Sequence, residues 1–178
     1  MQPRVTTNSD FLGPRRRQSR SGRSSAPCES RPKETHDDGS CVQSRAWLKI
    51  NREIWNGRQF DKIPEYFAEE FVSDYSPHFV RHGRQHVQEA VERAHATFEG
   101  FREEIKTIVA DDERVVIHFT IKGRHTGQWG PLAGTGKEVA FDEIVILTVR
   151  GGKVVHQVGV IDNVTGLRQV GVMPAARA

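Results

Sequence analysis

The segment "VHQVGVIDNVTGLRQVGVMP", Val155 to Pro174, ends a run of valines and isoleucines on a carboxylate, Asp162. A carboxylate in a partly desolvated setting has its pKa raised toward working pH and can serve as a base. Asp162 is therefore either such a base at a pocket mouth or a solvated strand end that starts a turn with Asn163. Glu143, within "AFDEIVILTV", reads as an exposed charge near a sheet edge rather than a pocket acid. His118 lies mid-strand and reads as a satisfied core or interface residue. His125 adjoins Gly-rich sequence, where a surface and a catalytic histidine are equally open readings. His78 and His82, with Asp74, touch on metal chemistry, but their spacing matches no ligand motif, and no metal is expected. "GPLAGTGK", Gly130 to Lys137, lacks the Ser/Thr after Lys and the following helix of a phosphate loop, so it reads as a strand connection.

These residues need elements to position them. "SRAWLKINREIWNG" spaces Trp47, Ile50, Ile54 and Trp55 as a helix stopped by Gly57. "DKIPEYFAEEFV" predicts a second helix, with Asp61 as N-cap, Pro64 in the first turn and Tyr66, Phe67 and Phe71 on its apolar side. "SDYSPHFVRHG" reads as an extended loop. "GRQHVQEAVERAHATFEGF" predicts a third helix with a Val87, Val91, Ala94, Phe98 stripe, ended by Gly100. The large aromatics of these helices read as core. The period then changes to that of strands: "FREEIKTIVAD", "ERVVIHFTIKGRHTGQ", and "EVAFDEIVILTV" joined to "KVVHQVGVID" through Gly151-Gly152 as a two-residue hairpin turn. Three helices followed by four long antiparallel strands give an α+β domain.

The hairpin register follows from its turn. With Arg150 opposite Lys153, Asp162 faces Phe141 and Val160 faces Glu143. One ribbon face then carries Val139, Phe141, Glu143, Val145, Leu147, His156, Val158, Val160 and Asp162. The other carries Ala140, Asp142, Ile144, Ile146, Thr148, Val155, Gln157, Gly159 and Ile161. Both faces are largely apolar, so one should take the helices and the other a second subunit, which predicts a homodimer through the sheet.

The chain's 178 residues suit one domain. Residues 1–43 carry eight of the 26 Lys/Arg and five of the 23 Asp/Glu, which leaves 18 of each sign in the remainder. The net +3 thus belongs to the N-terminal segment, and the balanced domain is not expected to bind nucleic acid. "GPRRRQSRSGRSSAPCESRPKETHDDGS" has almost no large apolar residues, which predicts a disordered tail over 1–43, a domain over 44–174 and a disordered end over 175–178. Six Arg and a single acid in residues 1–27 resemble a transit peptide in composition; otherwise a cytoplasmic location is expected. No run of 18 apolar residues exists, so no membrane span is expected. Both cysteines, Cys28 and Cys41, lie in the tail, which leaves the domain without a Cys-based metal site.

"GRHTGQWGPLAGTGKEVAFDEI" resembles the G-T-H-x-G-x-F-x-G-x-x-x-T-G-K segment of the SnoaL-like polyketide cyclases, of the nuclear transport factor 2-like superfamily. "GGKVVHQVGVIDNVTGLRQVGVMP" resembles that family's G-K-I-x-E-x-W-x-x-x-D-x-x-G-L-x-x-Q-L-G ending, and "YSPH" and "GRQHVQEAV" also fit, so the resemblance covers roughly 45–173. It implies a curved sheet wrapped by three helices into a cone with an internal pocket. It also implies cofactor-free acid/base chemistry, an aldol ring closure or isomerisation of a hydrophobic carbonyl compound. Asp162 matches the family's acid/base and His125 its motif histidine, the choice for a partner or enolate donor. Gln169 matches the motif glutamine, either at the substrate or tying the chain end to the sheet. Trp55, Tyr75, His78, His118, Phe141 and Val158 complete the expected substrate-binding set. His156 and Val158 stand for the family's Glu and Trp, Phe98-Glu99-Gly100 for Phe-Pro-Asp, and His118 for an arginine, so the resemblance leaves the substrate open. A non-catalytic binding module of the same fold and an epoxide hydrolase-like enzyme are the alternatives.

Overall fold

A computed structural model of the chain describes residues 39–76 and 79–174. The expected tail up to residue 38, the 175–178 end and His78 lie outside the described residues. Helix α1 (Gly39–Ile50) runs into a π-helical turn (Asn51–Trp55). A 3₁₀ turn (Phe60–Lys62) and a four-residue helix α2 (Ile63–Tyr66) lead into β1 (Phe67–Asp74) and the short β2 (Val80–His82). Helix α3 (Gln85–Thr97) is followed by β3 (Phe98–Ala110), β4 (Arg114–His125), β5 (Glu138–Arg150), β6 (Lys153–Ile161) and α4 (Asn163–Gln169). Among the described residues no helix is long and apolar enough to cross a membrane.

The strands form one curved, unclosed sheet in the order β2-β1-β6-β5-β4-β3. The α+β class and the helix-wrapped curved sheet are as the sequence implies, with corrections in the elements; Val80–His82, within the expected loop, is a strand. The second helix is four residues long, because Phe67 onward pairs with β6 in parallel and with β2 in antiparallel. Alternation within "FAEEFV" is poor, and sheet pairing decides the state over local pattern. The third helix stops at Thr97; Gly100, expected as its stop, is a positive-φ residue (φ 68°) in a bulge of β3 between Glu99 and Arg102. Such a bulge bends the strand and helps curl the sheet around the helices.

The turn at Gly151-Gly152 forms as expected, with φ of 56° and 74°, and Arg150 pairs with Lys153. Beyond it the register departs from the simple count. Val149 pairs with Val154, but Thr148 pairs with His156, so Val155 is an extra residue in β6. One inserted residue sends every later β6 side chain to the opposite face. Glu143 therefore faces Ile161, and Val160 faces Ile144. Asp162 lies beside Asp142, to whose carbonyl its N–H donates (2.8 Å), and not beside Phe141. The inner face carries Phe141, Glu143, Val145 and Leu147 with Gln157, Gly159 and Ile161. His156, Val158, Val160 and Asp162 move to the outer face.

The core lies between the concave face and the helices. Trp47, Ile50 and Ile54 come from the first helical run and Val87 and Val91 from α3; they meet Phe101, Ile117, Phe119, Val145 and Leu147 of the sheet.

Candidate active site

Between the helices and the concave face lies a cavity of about 650 Å³. Its walls are mostly aromatic and aliphatic, among them Trp47, Trp55, Phe71, Phe98, Phe119 and Phe141. Two carboxyl groups line it, Glu103 of β3 and Glu143 of β5, and both residues are 6% exposed. Each sits in strict alternation with apolar neighbours, Phe101-Glu103-Ile105 and Phe141-Glu143-Val145, so the pleat turns it inward. Glu143 is paired with Phe119 of β4 and Glu103 with Ile121, two residues further along the same strand. The two acids thus flank β4 on a concave surface.

Glu143 accepts a hydrogen bond from the Tyr75 hydroxyl (2.6 Å), and that oxygen in turn accepts one from the Gln157 amide. Burial raises the pKa of Glu143 to about 7, against the opposing pull of the Tyr75 bond. Burial, then the nearby Glu143 charge, drives the Tyr75 phenol well above its ordinary range, so it remains a donor. Local structure explains the placement. Tyr75 follows β1, whose Asp74 pairs with Val158, which brings the ring against the next residue of β6. That residue is Gly159, where a Cβ would collide with the Tyr75 ring.

Glu103 is held from the helical side. The π-helical turn places Asn51, itself buried, so that its side-chain amide donates to the Glu103 carboxyl (2.7 Å). Asn56 then bridges: its amide donates to the Asn51 side chain (3.1 Å) and the Glu103 carbonyl (3.2 Å), and its own carbonyl accepts the Glu103 N–H (2.8 Å). Burial and the Glu143 charge raise the Glu103 pKa well above the carboxylate range, opposed by the Asn51 bond. Two coupled, desolvated carboxyls of unequal surroundings are a setting for shuttling protons.

The expected site residues divide. Trp55, Tyr75 and Phe141 line the cavity. Asp162 does not: it is exposed and caps α4, accepting the Thr165 N–H (2.9 Å) and hydroxyl (2.6 Å). Those bonds lower its pKa, the opposite of what a base needs. His125 is fully buried but outside the cavity lining, with its ring against Phe98 and Trp129 and Nδ1 3.1 Å from the Thr135 hydroxyl. Its backbone receives the returning Gly-rich loop, through Lys137, Thr135 and Gly136. Asp162 and His125 are therefore not brought together.

Val158 is 39% exposed on the outer face, carried there by the Val155 bulge. His118 also faces outward, 3.0 Å from Asp142, whose pKa is lowered to about 2 by bonds from Lys106, His118 and Thr120. Gln169 pairs with both backbone groups of Ala140 (2.8 Å each), which ties α4 to β5. Among the described residues no group of three or more His, Cys, Asp or Glu is placed to hold a metal ion. Glu103, Gln157 and Asn51 were not singled out by the sequence, and Glu143 is a pocket acid rather than an edge charge. The available signal was a carboxylate at an inward step of an alternating apolar strand.

The SnoaL-like polyketide cyclase family model matches residues 46–170. No curated protein matches the sequence. Among solved structures, AclR of Streptomyces galilaeus, a hydroxylase candidate, is similar at 23% identity and a TM-score of 0.67, over 78% of this chain and 86% of that one. A SnoaL-like polyketide cyclase of Agrobacterium tumefaciens is similar at 20% identity and a TM-score of 0.63, over 72% and 97%. An LEH-like epoxide hydrolase of M. tuberculosis is similar at 17% identity and a TM-score of 0.57, over 74% and 90%. At such identities these likenesses speak for the fold, whereas the family match spans most of the chain and takes in both the carboxylate-bearing strands and the cap of α4. The chain belongs to the SnoaL-like polyketide cyclase family.

Proposed function

We propose that the chain is an acid/base enzyme acting on an apolar small molecule that carries a carbonyl group, with Glu143 as the base. The observation that carries this reading is the buried Glu143 carboxyl, bonded to Tyr75 in a mostly apolar cavity that a second buried acid, Glu103, also lines. Glu143 takes a proton alpha to the carbonyl. The resulting enolate carbon attacks a second carbonyl of the same molecule, or is reprotonated at another carbon. In ring closure Glu103, with its neutral form favoured by burial, protonates the new alkoxide oxygen, and the proton on Glu143 then passes through solvent to Glu103, restoring both carboxyls; in isomerisation Glu143 delivers its proton to the other carbon. The reading calls on no cofactor.

The test is exchange of the alpha protons of 4-phenylbutan-2-one in D₂O, followed by NMR. The native chain should accelerate exchange, with a rate that rises with pH through about 7 as Glu143 ionises. Glu143→Gln should lose about 10²–10⁴-fold. Equal exchange in both proteins would remove Glu143 from the reaction.

Water addition to an epoxide is a second reading, favoured by one observation: two polar clusters meet the cavity, Tyr75 and Gln157 at Glu143 and Asn51 at Glu103, and activating a water draws on such groups. Turnover of styrene oxide with incorporation of ¹⁸O from water would support it. We also propose that the protein is a homodimer through the outer face of the sheet.

A further inference from the structure

We infer that the substrate is an amphipathic anion, its negative group held at the cavity rim by Arg93 beside Arg81 and His86, its apolar body filling the cavity. This rests on the reading of the cavity as the substrate site. The charged side chains lining the cavity divide by place. Glu103 and Glu143 are buried on the sheet, whereas Arg81, His86 and Arg93 come from β2 and α3. His86 and Arg93 are two turns apart on one helix face. Ala90 and Ala94 line the cavity along that same face, and their short side chains leave the basic groups as the polar features there.

All three basic side chains lie near the Glu89 carboxylate, Arg93 interacting with it through charge alone. Glu89 meets His86 Nδ1 at 2.8 Å and the Arg81 guanidinium at 3.5 Å. The Arg81 guanidinium also lies over the Phe79 ring, 4.9 Å from its centroid, which fixes it at the lip. Glu89 itself does not line the cavity. Arg93 makes no side-chain hydrogen bond or ion pair among the described residues, and it is exposed. A guanidinium with free donors beside an apolar hollow is suited to a carboxylate or sulfonate, which it can hold with two parallel bonds. Of the two floor acids, burial favours the neutral form of Glu103, whereas Glu143 is charged once it ionises through about 7 and lies on the sheet, on another element than the basic groups.

Two fluorescent probes separate the contributions. 8-Anilinonaphthalene-1-sulfonate and N-phenyl-1-naphthylamine share an apolar body, and only the first carries an anion. Titrated into the full chain, the sulfonate should bind at least about fivefold more tightly, a preference that about 0.5 M NaCl erodes. Arg93→Gln should remove that preference, lowering sulfonate affinity about fivefold and leaving the neutral probe within about twofold. Arg93→Lys should keep part of it, as a point charge without the fork. An unchanged preference in Arg93→Gln, or equal weakening of both probes, overturns the proposal while the cavity remains a binding site. If Ala90→Trp, which narrows the cavity, leaves both probes bound as before, or if neither probe binds the native chain, the substrate-site reading falls and the proposal with it.

Discussion

Burial that suits Glu143 to its chemistry also works against the fold. Its pKa is about 7 in the folded chain against an ordinary 4.5, so the native state holds a proton that the unfolded state releases first. Stability contributed by the protonated group is then present below about 4.5 and lost as pH rises toward 7. Glu143→Gln keeps an acceptor for the Tyr75 hydroxyl and removes the titration. Urea denaturation should find the variant more stable than the native chain at pH 8, by up to about 3 kcal/mol, and little changed at pH 4. The same difference at both pH values would mean that Glu143 is not a desolvated acid. At Asp162 the direction reverses: two bonds from Thr165 favour its charged form, as suits a helix cap.

At the scale of elements, one residue decides whether Asp162 meets the cavity beside Glu143. The alternation in "EVAFDEIVILTV" and the turn at Gly151-Gly152 were legible, and so were both strands of the hairpin. The bulge at Val155 was not, because neither a Gly nor a Pro marks it and the pattern on both faces is apolar. Without it Asp162 would face inward with Phe141; with it Gly159 does, and Tyr75 has a seat. Gly159→Ala should displace the Tyr75 ring, destabilise the chain by about 1–3 kcal/mol and reduce alpha-proton exchange. Unchanged thermal melting and exchange would show that the ring needs no such seat. The first helix and the core face of the third were also legible, since Trp47, Ile50, Ile54, Val87 and Val91 repeat at helical spacing and are buried. The second helix was misread past Tyr66, because its pairing partner β6 is some eighty residues away in sequence. Asn51 and Asn56 carried no local signal at all; their roles exist only once β3 lies beside the π-helical turn.

Across the whole molecule, the outer sheet face exposes Ile144 (47%), Ile146 (42%), Val158 (39%) and Val160 (73%) together. Apolar side chains grouped on adjoining strands are a common mark of an association surface, and a two-fold interface lets one patch serve both partners. The native chain should sediment at twice its 20.1 kDa. Ile146→Arg combined with Val160→Arg should yield a folded monomer, since arginine pairs directly across such a face would be desolvated and repel. A native monomer, or a dimer indifferent to both changes, would place the contact elsewhere. The family and the wrapped sheet were legible from two ordered motifs, whereas Asp162, the residue those motifs point to, caps α4 outside the cavity lining. This chain has the cavity, and its buried acids lie on β3 and β5.

The role of Glu143 is tested most sharply by comparing alpha-proton exchange in Glu143→Gln and Asp162→Asn. Both changes are isosteric, and Asn serves as well as Asp at a helix cap, so both proteins should fold. Glu143→Gln should lose about 10²–10⁴-fold while Asp162→Asn keeps the native rate. Loss of exchange in Asp162→Asn with full exchange in Glu143→Gln would contradict that role for Glu143.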